Sequence, residues 1–319
     1  MMMTEEPIET FMDEANPIEV TAPLPFPYNQ QTYCRYEPIE KQIEAARVLV
    51  VDSLLQDEDD LSEVARTDWG TTAALELRRE RRIAAMAMEN IVSNVERLVK
   101  EPVTQLTDLA SVGIAAKNFQ PDAIVLSGTL RDFDYYNPAV IESFGEFIHS
   151  TKVPVLAICG GHQLVGLSFG ARVMTLDRLE QHEQRVNRPL EYQYRFVRIT
   201  NSEDPIFRGI RNPASGLWQD YTKQARLLRV WQNHGLQLDR VPEGFNLLAT
   251  SYLCRNQMMV KRAEGQLIYT VQFHLEKSFE DWNKSRTRWE HQNESRDGRI
   301  IFENFLLESL KHNSENRAQ

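Results

Sequence analysis

A cysteine lodged between an apolar strand and two glycines is the arrangement in this chain best suited to covalent chemistry. In VPVLAICGGHQLVGLSFG a buried strand runs into Cys159, Gly160 and Gly161 follow, and a helix begins. Glycines there permit a sharp strand-to-helix turn that side chains would block. The turn lifts the thiol out of the sheet and points a helix N-terminus at it. The free N–H groups and partial positive charge of that terminus favour the thiolate. The N–H of Gly160 is then placed to hold a developing oxyanion. The plainer alternative is a small core residue at a strand end, since buried thiols are common and inert. A nucleophilic cysteine needs a base, and the base needs an orienting partner. LIYTVQFHLEKS supplies a pair: residues i and i+2 of an extended chain point the same way, which sets Glu276 beside His274. A lone histidine at a strand end would more readily be structural; the pair, together with the cysteine turn, favours chemistry.

Strands with helices packed on them must carry such groups. RVLVVDSL (47–54), DAIVLSG (122–128) and VPVLAIC (153–159) read as buried strands. A helix is expected from about Thr72 to Lys100, with Leu77, Ala84, Met88, Ile91, Val95 and Leu98 on one face. Another spans Pro138 to Ser150, with Val140, Ile141, Phe144 and Phe147 inward. This alternation predicts a parallel sheet with crossover helices. Beyond Arg172, YQYRFVRIT, RLLRVWQ, FNLLATS, QMMVKRA and QLIYTVQF predict an antiparallel or mixed extension of the same sheet. RRERR (78–82) reads as a solvated face or, failing that, a partner surface. The acidic DEDD (57–60) is a weak metal candidate, with no histidine beside it.

Composition narrows the class. Hydrophobic residues at 42% and charged residues at 26% of 319 suit a soluble globular chain. Thirty-six basic against 46 acidic residues leave a formal charge of −10, which opposes nonspecific binding to nucleic acid or anionic membrane. No apolar run approaches the roughly 20 residues of a membrane span. The acidic N-terminus has neither a basic n-region nor an apolar h-region. Three scattered cysteines, Cys34, Cys159 and Cys254, give no disulfide framework and no CxxC metal knuckle, so a reducing, cytoplasmic setting is expected. Residues 1–40 hold six of 14 prolines, no glycine, and eight acidic residues against one basic. That composition predicts an arm over 1–45, disordered or lying on the domain. One α/β domain over 46–312 and a short tail, 313–319, complete the expected organisation.

ICGGHQ followed about 115 residues later by QFHLE resembles the class I glutamine amidotransferases, which are triad glutaminases with a Cys-His-Glu site. VLSGT (125–129) is similar to that family's Ser-Gly-Gly strand end. VWQNHGLQLDRVPEGFNLLATS (230–251) is similar to the segment between nucleophile and base in carbamoyl-phosphate and GMP synthetase glutaminase domains, and RIIFENFLLESL (299–310) to the family's final helix. The resemblance covers about 46–311. It implies a single open, mostly parallel, flavodoxin-like sheet with flanking helices. It implies that Cys159 attacks the glutamine side-chain amide, that His274 activates the thiol and then protonates departing ammonia, and that Glu276 orients His274. The N–H groups of Gly160 and Thr129 would form the oxyanion hole. Gln163 would contact substrate through its side chain, and Asn233, Gly235 and Leu236 would grip the α-amino and α-carboxyl groups through backbone atoms. No metal or cofactor is implied, and His162 and His234 match no triad position. The sequence departs from the family at Leu275, where proline is usual, and at Thr129, where a second glycine is usual. A β-branched residue at 129 resists positive φ.

The resemblance implies glutamine hydrolysis through a γ-glutamyl thioester on Cys159, with ammonia passed to a separate synthase. The chain carries no Ser-Gly-Gly-x-Asp-Ser or G-x-x-x-x-G-K-[ST] loop, so an acceptor-activating partner is expected on another chain. The acidic arm and the arginine-rich helix are its candidate docking surfaces. Two other readings stand beside this one. The first is a γ-glutamyl hydrolase or peptidase on the same fold. The second is a non-catalytic interaction module, against which the intact Cys, His and Glu argue.

Overall fold

Residues 40–210, 227–277 and 296–318 are described by the computed structural model. The expected arm falls almost wholly outside them, as does part of the stretch between 175 and 230. In chain order the elements are β1 (Ile43–Asp52), α1 (Glu63–Trp69), α2 (Ala73–Leu98), β2 (Val99–Asp108), α3 (Val112–Phe119) and β3 (Ala123–Leu126). Then come α4 (Pro138–Ser150), β4 (Val155–Ile158), α5 (Gly160–Ser168), β5 (Val173–Thr175), β6 (Glu191–Ile199) and β7 (Leu227–His234). β8 (Leu236–Leu238), β9 (Asn246–Thr250), β10 (Met258–Ala263), β11 (Gln266–Val271) and α6 (Arg296–Ala318) follow among the described residues.

Local chemistry explains several boundaries. Pro138 sits in the first turn of α4, and the Asn137 side chain accepts the Ala139 N–H at 3.1 Å, so the helix starts there. All six apolar positions read along α2 are buried, and Glu80 and Asn94 are buried with them. Glu80 corrects the reading of RRERR as a solvated face. Its carboxylate accepts the Leu55 N–H at 3.0 Å and Arg131 Nε at 3.0 Å, while Arg81 reaches Asp52 at 2.8 Å. The helix also ends earlier than expected, because Val99 passes straight into β2, a strand that the sequence pattern does not announce. The DEDD stretch forms a short 3-10 turn in which Asp60 accepts the Gln56 N–H at 2.6 Å. Residues 313–318, expected as a tail, continue α6.

Among the described residues nine strands form one open sheet in the order β2-β1-β3-β4-β11-β10-β9-β6-β7, and β5 pairs with β8 in a separate ribbon. The strands from β2 to β11 run parallel, while β10, β9, β6 and β7 add antiparallel neighbours. Helices cover both faces. Met88, Ile91 and Val95 of α2 join Ile301, Phe302 and Phe305 of α6 over Val48 and Val50. Phe119 of α3, Phe144 and Ile148 of α4, and Leu164 and Val165 of α5 cover Leu49 and Val51. β1 therefore reads as a continuous apolar run, as a strand buried on both faces must. Among the described residues, no helix is long and apolar enough to cross a membrane.

Candidate active site

The topology brings the proposed chemistry together. β4 lies between β3 and β11, with Leu126 opposite Ala157 and Val271 opposite Ile158. All three strands run the same way, so their C-terminal ends open at one edge, where α/β sheets bind ligands. β4 ends in Cys159, β3 leads into Gly128 and Thr129, and β11 leads into His274 and Glu276.

Cys159 caps α5 at φ 49° and ψ −106°, a left-handed conformation that costs a non-glycine residue about 1–3 kcal/mol. Its N–H donates to Val271 O at 2.7 Å, and its carbonyl accepts the Gln163 N–H at 3.2 Å. The following glycines answer to crowding rather than to φ. A Cβ at Gly160 would collide with Thr129 N and Oγ1 and lie 2.6 Å from Thr129 Cβ. One at Gly161 would lie 2.8 Å from Ser127 O. The backbone after β3 thus presses against the start of α5, which sets Thr129 beside Gly160. Thr129 is not among the described non-glycine residues with positive φ, so its β-branch is accommodated in this conformation.

His274 Nδ1 lies 2.6 Å from Glu276 Oε1. Two backbone anchors hold the pair: His274 N–H donates to Trp231 O at 2.8 Å, and Asn94 Nδ2 donates to Glu276 O at 2.7 Å. Leu275 points the other way into the apolar core, 2% exposed, so a leucine serves between the two polar side chains. Burial alone would pull the His274 pKa down. The Glu276 carboxylate and the Cys159 sulfur outweigh it and hold the imidazolium up at about 10. Glu276 is likewise disfavoured as an anion by burial, yet the facing His274 brings its pKa below the ordinary value. Gly128 separates Cys159 from His274: a Cβ there would lie 3.3 Å from Cys159 Cβ and 3.5 Å from His274 Cε1.

Gln163 is buried, its Nε2 donating to Leu236 O and to Gln272 Oε1, each at 3.0 Å. Gln272 Nε2 in turn donates to Cys159 Sγ at 3.7 Å. Sequence reading missed Gln272, although its i, i+2 relation to His274 places it on the same side of the chain. Asn233, Gly235 and Leu236 line, with Cys159, Gln163 and His274, a cavity of about 1260 Å³. The rim carries charges that no motif announced. Arg188 grips Asp132 through two nitrogens, both at 2.8 Å, and Arg131 spans Glu76 at 2.9 Å and Glu80 at 3.0 Å. His162 lies fully buried, Nδ1 on Thr270 Oγ1 at 2.6 Å, its pKa lowered to about 3 chiefly by burial, with the neighbouring His234 adding to the effect. His234 Nδ1 lies 2.9 Å from Leu236 O. Among the described residues, the histidine paired with a carboxylate beside Cys159 is His274.

Comparison with known proteins gives concordant findings. Residues 85–290 match the family described as glutamine amidotransferase class-I. The chain is 33% identical over 161 residues to a glutamine-hydrolyzing GMP synthase subunit of Thermococcus kodakarensis, covering 50% of this chain and 69% of that one. It is 29% identical over 165 residues to the glutamine-hydrolyzing GMP synthase of Pectobacterium carotovorum, covering 50% of this chain and 26% of that one. A solved structure described as a GMP synthase subunit protein of Thermoplasma acidophilum shares the fold at TM-score 0.50 and 21% identity, covering 85% of this chain and 97% of that one.

Proposed function

Because the chain belongs to the class-I glutamine amidotransferase family, we propose that it hydrolyses L-glutamine through a Cys159 thioester and delivers the ammonia to a separate synthase. The observation carrying this reading is the convergence of Cys159, the Gly128–Thr129 loop and the His274–Glu276 pair at three adjacent parallel strand ends. In the proposed cycle the thiol proton of Cys159 already rests on His274, and Cys159 Sγ attacks the substrate's side-chain amide carbon as the thiolate. The N–H groups of Gly160 and Thr129 hold the tetrahedral oxyanion. His274 then protonates the departing nitrogen, ammonia leaves, and a γ-glutamyl thioester remains. Water, deprotonated by His274, cleaves the thioester and releases glutamate. Glu276 fixes the imidazole's orientation and stabilises its cationic form throughout. Asn233, Gly235 and Leu236 hold the amino-acid end of the substrate, with Gln163 bracing Leu236 from below. No metal or cofactor enters this cycle.

We take the expected 46–312, together with the rest of β1 and α6 that these bounds cut, as the catalytic unit, and a reducing, cytoplasmic compartment as its setting. The similarity to a GMP synthase subunit that is a chain of its own supports a synthase on another polypeptide. The test is release of glutamate and ammonia from L-glutamine by the purified chain, with Cys159→Ala as control. Turnover lost in the variant supports the reading. Labelling of wild type at Cys159 by a glutamine-like electrophile, without turnover, points to an enzyme that needs its partner. Absence of both sinks the reading. γ-Glutamyl hydrolysis is the second reading; it needs room beyond one glutamine, and the cavity of about 1260 Å³ provides it. Faster turnover of γ-glutamyl peptides than of glutamine would establish that alternative.

A further inference from the structure

Behind the Asn233–Leu236 segment lies a second Cys-His-Glu group, which the proposed cycle does not use. Glu191 opens β6 and His234 closes β7, directly opposite each other in the antiparallel register. Such cross-strand partners bring their side chains to one face. Cys254 joins them from the turn between β9 and β10. The three are 7%, 5% and 0% exposed, and one ligand atom from each lies within 4.8 Å of the other two. A tetrahedral zinc with bonds of about 2.0–2.3 Å holds its ligand atoms roughly 3.3–3.8 Å apart, so shifts of up to about 1–1.5 Å would close this group on an ion.

The hydrogen bonding of His234 gives an independent pointer. Its Nδ1 faces Leu236 O at 2.9 Å, and a carbonyl only accepts, so the Nδ1 atom carries a proton. Donation of that N–H to a backbone carbonyl is how metal-bound imidazoles are oriented. The other nitrogen, Nε2, is buried 3.1 Å from Glu191 Oε2. Two lone pairs so placed repel, and the conflict is removed by a positive charge held between them, either a proton or a metal ion shared by both. The carboxylate is itself steered, with Gln257 Nε2 on Oε2 at 2.8 Å and Ser251 Oγ on Oε1 at 3.1 Å.

We propose that Glu191, His234 and Cys254 supply three ligands of a buried, stabilising site for a divalent transition metal of the zinc type. Thiolate and imidazole select zinc or cobalt over magnesium and calcium. Without the ion, the Cys254 thiol donates to Asn256 O at 3.4 Å. On binding, it loses its proton to solvent as the sulfur–metal bond forms, with no change of oxidation state. The ion would tie β6, β7 and the β9–β10 turn together behind Gly235, steadying one wall of the cavity.

The test uses the full chain stripped with chelator and then given zinc or cobalt. The expected results are one metal per chain after desalting, and a Tm rise of about 5 °C or more at roughly a hundredfold excess over the dissociation constant. Cobalt should give an intense near-ultraviolet thiolate band that Cys159→Ala retains and Cys254→Ser loses. If Cys254→Ser fails to fold, Glu191→Gln takes its place, and it should bind cobalt at least tenfold more weakly. No uptake, or a band that follows Cys159 rather than Cys254, overturns the proposal. The former would leave a protonated His234 paired with Glu191 as the explanation. Because the readouts are metal content, absorbance and melting, they stand or fall separately from glutamine turnover.

Discussion

Replacing Gly160 with alanine adds one carbon at the most crowded point of the site. That Cβ would collide with Thr129 N and Oγ1 and lie 2.6 Å from Thr129 Cβ, where carbon atoms rest about 3.5 Å apart or more. The Thr129 hydroxyl can rotate away, but its backbone nitrogen cannot. Either the loop after β3 or the start of α5 must therefore move by about 1 Å. A displacement of that size next to reacting atoms costs about 10²-fold, and loss of one oxyanion donor costs about 10²–10³-fold. Both describe the same event and are not summed, so kcat should fall by about 10²–10³, or roughly 2.7–4 kcal/mol at the transition state. Overpacking should cost about 1–3 kcal/mol of stability as well. Glutamate release under saturating glutamine, on protein verified as folded by circular dichroism, measures the first effect. Gly113→Ala is the matched control, since its Cβ would meet Phe147 Cδ2 at an ordinary 3.7 Å, and it should leave turnover unchanged. Adding Thr129→Gly to Gly160→Ala removes Oγ1 and Cβ but leaves the nitrogen, so it should not restore activity. A folded Gly160→Ala enzyme within fivefold of wild type would refute the reasoning.

Three further outcomes are expected. Glu276→Gln should lower kcat by about 10²–10⁴ with little change in KM. The charged form of His274, with its pKa raised to about 10, contributes stability that is full below pH 6.5 and lost as pH rises through about 10. The stability gap between wild type and Glu276→Gln, measured by urea unfolding, should accordingly close between pH 7 and pH 10. His162 has the opposite sign: its pKa is depressed to about 3, so wild type loses stability as pH falls from 6.5 towards 3, by roughly 4–5 kcal/mol at the limit. His162→Asn should flatten that acid limb, seen as urea midpoints compared at pH 7 and pH 4. Glu80→Ala leaves Leu55 N–H and Arg131 without their buried acceptor, and its denaturant midpoint should drop by the equivalent of about 2–4 kcal/mol.

What the sequence disclosed follows from which contacts are local. The Cys159 turn was legible because its two glycines stand beside it, and α4 because Pro138 and Asn137 mark its start. β2 was not, because Val99 follows α2 without a turn residue and Pro102 and alternating polar residues disguise an exposed edge strand. Glu80 and Asn94 share the spacing of Leu77, Ala84 and Ile91, so a stricter reading of that stripe would have marked both as buried polar groups. What Asn94 does there, holding the carbonyl of Glu276 at 182 residues' separation, leaves no trace in local pattern. The charged rim around Arg131 and Arg188 escaped notice for the same reason, since each pair is made across distant segments.

The position of β11 bears on how the molecule folds. Last of the described strands in sequence, it occupies the middle of the sheet, between β4 and β10. Until it inserts, the parallel and antiparallel halves have no common seam. Cys159 then also lacks Val271 O, which accepts its N–H, and the histidine that follows β11. Such long-range pairing is slow to form because chain entropy must be lost before the contacts reward it. A partly folded chain would thus carry a thiol with neither anchor nor base. Refolding glutaminase activity should appear with the final closure of the sheet, not with earlier helix formation.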